Sequence, residues 1–223
     1  MAEQQLNLYA SYAYTDAFWT LSDEDRKTFR TKLVDEAQTL AAGTHFYSVF
    51  PCRSDTDFMI WSASVVEDGD VAASFLSAYN QVSEGWRRYI RPVQTLWGFT
   101  RPSMYSRGKS EQDIDAIEGE RCKFFIVYPF SKTKEWYMKT PDVRQGMMNE
   151  HIKIGKQYFD VKQLLLYSFG LQDQEFVVSY EVENPVRFSE LVNAIRCVEG
   201  RLYTLKDTPL ITGVYHKPEE FAR

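Results

Sequence analysis

Residues Glu175 to Glu183 read EFVVSYEVE, and residues Asp57 to Glu67 read DFMIWSASVVE. Each sets phenylalanine after an acid and continues in β-branched and aromatic residues, the composition of a strand with a buried face. Other stretches pair in the same order. NLYASYAY at Asn7 answers KFFIVYPF at Lys123, and FWTLSDEDRKTFRTKLVDE at Phe18 answers EWYMKTPDVRQGMMNEH at Glu135. HFYSVF at His45 answers QLLLYSF at Gln163, and VAASFLSAYNQV at Val71 answers PVRFSELVNAIRCV at Pro185. The offset stays near about 117 residues, so Trp19 matches Trp136, Phe58 matches Phe176 and Val66 matches Val182. A repeat of this length is a duplicated domain, not a solenoid of short units.

Each half reads strand, helix, strand, strand, helix. That order predicts an α+β fold built from two ferredoxin-like domains with antiparallel sheets, paired sheet to sheet or closed into a barrel. The polar run SMYSRGKSEQDIDAIEGER, Ser103 to Arg121, lacks apolar periodicity and reads as the join. The expected division is 1–102, a linker at 103–121, and 122–223. Helix starts are legible. Ser22 precedes three acids suited to a helix N-terminus, Thr140 precedes Pro141, and Asn184 precedes Pro185.

The chain has 223 residues, 44% of them hydrophobic and 15% aromatic, with a net charge of −5. No basic run stands out, which argues against nucleic acid as a partner. The longest apolar runs are too short for a membrane span. No basic-then-apolar leader is visible at the start of the sequence. Cys52, Cys122 and Cys197 are widely spaced and form neither a zinc pattern nor a disulfide framework. A soluble cytoplasmic protein is expected.

Chemistry concentrates in MMNEHIKIGKQY, Met147 to Tyr158. Val143, Met147, His151 and Ile154 fall on one face of a helix running from Pro141 to about Tyr158. Met148 and Ile152 widen that face, so His151 points inward. Two roles are open to it, a core histidine bonded to a carbonyl and an axial ligand. With no second histidine or cysteine nearby, zinc is disfavoured, whereas haem iron needs only one protein ligand. The matching position of the first half lies near Leu33 and Val34, so the fold itself does not require the imidazole. His45, near a strand start, and His216, in the C-terminal VYHKPEEF, read as surface or edge residues.

The runs YPFSKTKEWYM, MMNEHIKIGKQY, VKQLLLYSFGLQDQEF and VEGRLYTLKDTP together resemble the chlorite dismutase family over roughly Lys123 to Pro209. That family includes chlorite dismutases and coproheme decarboxylases. The resemblance implies a haem-binding oxidoreductase with the cofactor in the second domain, often as a homopentamer. It implies His151 as the proximal iron ligand and Glu199 as the carboxylate that accepts a hydrogen bond from it, which makes imidazole more electron-donating. Trp136 and Tyr137 match an aromatic pair beside the haem. Gln163 matches the distal position, where chlorite dismutases carry an arginine. A neutral amide does not supply the charge that oxyanion chemistry needs. Tyr128 and Lys132, in YPFSK, match the radical-forming tyrosine and the propionate-orienting lysine of the decarboxylases.

The expected activity is therefore peroxide-dependent decarboxylation of iron coproporphyrin to haem b, with porphyrin and peroxide as small-molecule partners. A weak haem peroxidase, a non-catalytic haem-binding protein and a chlorite dismutase are the alternatives. Two departures bear on the pocket. The chain has Gln172 to Phe176 where the decarboxylases carry tryptophans, and its loop from Lys132 to Trp136 is shorter.

Overall fold

A computed structural model describes residues 4–105, 108 and 110–223. The remaining residues of the expected join, 106, 107 and 109, lie outside the described set. The first half runs β1 (Gln5–Tyr14), α1 (Asp16–Trp19), α2 (Asp23–Gln38), β2 (Gly43–Ser48), β3 (Phe58–Val65), α3 (Gly69–Glu84) and β4 (Ile90–Thr100). The second runs β5 (Phe124–Lys132), α4 (Lys134–Met138), α5 (Pro141–Gly155), β6 (Lys162–Tyr167), β7 (Phe176–Val182) and α6 (Pro185–Ile195). A 3-10 turn η1 (Glu199–Tyr203), β8 (Thr204–Lys206), β9 (Ile211–His216) and α7 (Pro218–Phe221) complete it.

The strand order is β7-β6-β4-β1-β3-β2-β9-β5-β8, and an added β7–β5 pairing closes the ring. Each half supplies four antiparallel strands, β4-β1-β3-β2 and β6-β7-β5-β9. This is the duplicated ferredoxin-like α+β fold, joined as a barrel. The last strand of each unit, β4 and β9, is absent from the sequence reading. The first, with Arg91, Pro92 and Gln94, alternates weakly, and the second sits in what reads as a tail.

The halves meet along two short seams. Phe99 and Thr100 pair with Tyr167 and Leu166, and Phe46 to Ser48 pair with His216 to Val214. Each seam holds a glycine where a side chain has no room. A Cβ on Gly98 would lie 2.7 Å from the Tyr167 carbonyl oxygen, and one on Gly213 would lie 2.8 Å from Tyr47 Cβ.

Strand alternation divides the molecule into three cores. Tyr9, Tyr47, Trp61, Phe125, Val127 and Val177 fill the barrel. Leu8, Phe46, Ile60, Phe29 and Leu33 join the first half's outer face to its helices. Ile126, Val178, Tyr180, Phe188 and Leu191 do the same in the second. The helix starts follow the sequence. Ser22 accepts from the Asp25 N–H at 3.1 Å, Asn184 accepts from the Val186 N–H at 3.0 Å, and Pro141 begins α5.

Two readings need correction. His45 is buried at 8% exposure, its Nε2 2.8 Å from the Ala116 carbonyl oxygen, and burial pulls its pKa down to about 4. His216 belongs to β9, not a tail, and its Nε2 lies 2.8 Å from Ser48 Oγ. The Ser103–Arg121 segment packs Ile114 and Ala116 into the barrel interior, which covers His45 and explains the first of these.

Candidate functional site

The two halves differ most where their helices cover the sheet. α2 buries Phe29, Leu33, Val34 and Ala37, whereas α5 buries only Met147. Val143, on the expected inward stripe of α5, is 45% exposed. Below it Leu165, which pairs with Val178, is 36% exposed. Its counterpart in the first half, Phe46 opposite Ile60, is fully buried and stacked on Phe221 at 5.1 Å. The second half therefore leaves apolar side chains on α5 and β6 partly exposed where its sister buries them. Of the stripe read from the sequence, Met147 alone is buried.

Pairing registers bring several candidate residues onto one face of the sheet. Tyr128 lies opposite Val178, Phe130 opposite Phe176, and Gln163 opposite Tyr180. With period-two alternation, Tyr128, Lys132, Tyr180 and Gln163 share the helix-side face. His151 lies on α5, half-buried. Burial lowers its pKa and the charge of Lys132 lowers it further, so the imidazole is neutral and able to ligate at neutral pH.

Lys132 ends β5 with its ammonium over the Trp136 ring at 4.7 Å. It donates to the Gly200 carbonyl at 3.1 Å and to Thr204 Oγ1 at 3.3 Å. Burial, and then Arg201, bring its pKa down to about 8. Trp136 is buried at 3% exposure, with Tyr105 and Tyr203 against its ring. Tyr137 is half-exposed and donates to Glu175 Oε2 at 2.5 Å, while the same oxygen accepts from the Lys132 N–H at 2.7 Å. Burial raises the Tyr128 pKa.

Glu199 does not meet its expected partner. It is exposed at the start of η1, its N–H donates to Glu150 Oε2 at 3.4 Å, and no hydrogen bond joins it to His151. η1 nonetheless packs on α5 at Met147, the turn that precedes His151, because Gly200 leaves that contact free of a side chain.

Sequence reasoning passes over four groups. Gln112, in the polar join, reaches the carbonyls of Gly155, Tyr158 and Val161 at 3.4, 2.9 and 3.1 Å, tying the end of α5 to β6. Its own carbonyl accepts from the Gln163 N–H at 2.7 Å, and the Ile114 N–H donates to the Gln163 carbonyl at 3.0 Å. Arg196 and Arg201 converge on Asp207 at 3.4 and 2.9 Å, and all three act electrostatically on Tyr128. Glu175 and Tyr180 complete the set. Only Tyr180 carried a signal, since in FVVSYEV it alternates onto the face of Tyr128.

The donor set can be tested against metals. Among the described residues no three His, Cys, Asp or Glu side chains cluster. A bare ion thus finds no cage, while a haem iron, bringing four nitrogens, needs only the one imidazole. The partly exposed apolar side chains Leu165 and Val143 and the cations Lys132, Arg196 and Arg201 also suit a group with an apolar body and carboxylate arms.

Comparison with known proteins agrees. A family profile described as chlorite dismutase matches residues 18–216. The chain belongs to the chlorite dismutase family. It is 27% identical to a coproheme decarboxylase of Mycolicibacterium smegmatis over 192 residues, covering 82% of this chain and 81% of the relative. A coproheme decarboxylase of Staphylococcus saprophyticus is 28% identical over 197 residues, with 82% and 76% covered. Chlorite dismutase from Candidatus Nitrospira defluvii, solved with imidazole, superimposes with a TM-score of 0.82 at 20% identity. That match covers 100% of this chain and 95% of that one, and the likeness is one of fold. No helix among the described residues is long and apolar enough to cross a membrane.

Proposed function

We propose that this member of the family is a haem-dependent oxidoreductase that decarboxylates iron coproporphyrin to haem b with peroxide as oxidant. The observation that carries the reading is the shared face. A phenol, Tyr128, and an ammonium, Lys132, sit two alternations apart on β5 beneath the α5 that bears His151. The curated relatives bearing the coproheme decarboxylase name support it.

The balance for each propionate is –CH2–CH2–COO⁻ plus H2O2 plus H⁺ giving –CH=CH2, CO2 and two waters. Iron porphyrin, when bound through His151, supplies the oxidising chemistry on reaction with peroxide. The chain does the rest. Lys132, with Arg201 beside it, pairs with a carboxylate and fixes which side arm faces the phenol. Tyr128 would lose an electron and its proton to the group that peroxide has oxidised and take a hydrogen atom from that arm, which would then lose CO2 and pass its remaining electron to the same oxidant, becoming vinyl. The Gln163 amide, held at its backbone by Gln112 and Ile114, roofs the opposite side without adding charge. Trp136 and Tyr137 frame the site beside Lys132, and Glu199 stands at the start of η1, which packs on α5 one turn before His151.

The unit of function is taken to be a cytoplasmic homo-oligomer, a pentamer by resemblance, with the first domain at 1–102 carrying no ligand. Exposed apolar side chains away from the site, among them Trp19, Phe50 and Phe159, support association. A monomeric mass from light scattering would overturn that part. The activity is tested by Tyr128→Phe, which keeps the ring and lacks the O–H. The variant should bind iron coproporphyrin as wild type does and leave its carboxylates intact under peroxide. Decarboxylation at the wild-type rate would remove Tyr128 from the chemistry.

A further inference from the structure

The acid that precedes phenylalanine in each half makes the same contact twice. Phe58 pairs with Tyr12 and Phe176 with Phe130, so Tyr14 and Lys132 stand at matching places two residues on. There Asp57 Oδ2 accepts from the Tyr14 N–H at 2.6 Å, and Glu175 Oε2 accepts from the Lys132 N–H at 2.7 Å. The acids are fixed alike, their own carbonyls accepting from the Val49 and Ser168 N–H groups at 2.8 Å. A carboxylate thus takes the place of the next ladder carbonyl and clasps the end of β1 or β5.

The copies differ in what else the carboxylate holds. Glu175 is longer by one methylene, and the oxygen that meets Lys132 also accepts from the Tyr137 O–H at 2.5 Å. The matching Thr20 turns back to the Ala17 carbonyl instead. Phe169 packs edge-on to the Tyr137 ring at 6.2 Å, so the β6–β7 hairpin, α4 and the end of β5 meet around one oxygen. β5 shifts register against β8 between Ser131 and Lys132, and from that irregularity the ammonium reaches Gly200 and Thr204.

We propose that Glu175 is a positioning residue for Lys132: its carboxylate fixes the Lys132 backbone against Tyr137, so that the ammonium is held where a porphyrin carboxylate meets it. The inference rests on the role of Lys132 proposed above. In the first half the clasp serves the strand end only, since Tyr14 stands there in place of the lysine.

The test begins without porphyrin. Amide hydrogen exchange at Lys132, read by NMR, should be at least about tenfold faster in Glu175→Ala than in wild type. Exchange at the wild-type rate would overturn the proposal. Glu175→Gln, whose amide oxygen can take the same two donors, should restore most of the protection. Affinity for iron coproporphyrin should fall roughly tenfold in Glu175→Ala, recover in Glu175→Gln, and keep its wild-type value in Asp57→Ala. An equal loss in Asp57→Ala would reduce the clasp to a strand tie and overturn the positioning role. In a Lys132→Met background Glu175→Ala should cost no further affinity, and a full further loss would likewise overturn it. If Lys132→Met binds as tightly as wild type, the proposed role of Lys132 fails, and the exchange rate decides whether Glu175 fixes its backbone. Should Glu175→Ala not fold, Glu175→Met, which keeps the length without an oxygen acceptor, takes its place in each measurement.

Discussion

Leu165 and Phe46 occupy matching positions in the two halves, yet Phe46 is fully buried and Leu165 is 36% exposed. The duplicated sheet is the same, so the difference lies in what covers it. In the first half α2 and Phe221 close over the strand. In the second, α5 buries only Met147 and leaves an opening to solvent at Leu165.

A larger side chain at that opening should abolish the function and spare the fold. Leu165→Trp places an indole on the helix-side face of the sheet opposite Val178. Porphyrin affinity, read from the Soret band, should fall at least about tenfold, equivalent to roughly 1.4 kcal/mol. Thermal unfolding should not be lowered, because the added ring buries apolar area.

Removing the imidazole tests ligation separately from shape. His151→Ala should shift the Soret maximum of the bound iron porphyrin and change stability by no more than about 1 kcal/mol, since among the described residues the side chain has no hydrogen-bonded partner to strand. A wild-type spectrum would exclude His151 as the ligand.

Lys132 predicts a pH dependence. Its pKa in the folded chain is about 8, below the ordinary lysine value of 10.5. Folding therefore carries a cost for its charge below pH 8, which is relieved as pH rises from 8 to 10.5, where the unfolded chain binds the extra proton. The same neutralisation removes the cation that meets a propionate. Affinity for iron coproporphyrin should fall as pH passes 8 in wild type, and this step should vanish in Lys132→Met, measured by titration at several pH values.

A second pH effect lies in the barrel interior. Glu181 faces Arg121, 3.2 Å away, with Lys162 also nearby, yet burial lifts its pKa to about 7. Because the unfolded value is 4.5, the folded chain holds a proton that the unfolded chain has released. Stability should decline as pH rises from 4.5 to 7, and Glu181→Gln should flatten that slope in denaturant melts.

Gln112 should matter beyond its place in a polar join. Gln112→Ala removes donations to the Gly155, Tyr158 and Val161 carbonyls, the first two of which keep a backbone N–H partner, and should cost about 0.5–1.5 kcal/mol, seen in chemical denaturation. A silent substitution would mean that other contacts tie the end of α5 to β6.

The duplication was legible because strand and helix patterns recur in order, and Phe58 and Phe176 carry it into matching strands. Ser22 and Asn184 announced their helices because capping is a local interaction between neighbours in sequence. β4 and β9 were not legible, since their pairing depends on seams with the opposite half that local alternation does not record. The candidate site was legible as residue types, from His151 and YPFSK. Its opening was not, because exposure of Leu165 depends on how far α5 stands from the sheet. The burial of His45 was equally hidden, as it depends on a linker that folds back over the barrel.

The most direct measurement gives purified protein iron coproporphyrin and then hydrogen peroxide in steps, reading porphyrin mass after each addition. The account predicts two successive losses of carboxylate arms, ending at haem b. Porphyrin that binds and is bleached, or that keeps its mass, would contradict it.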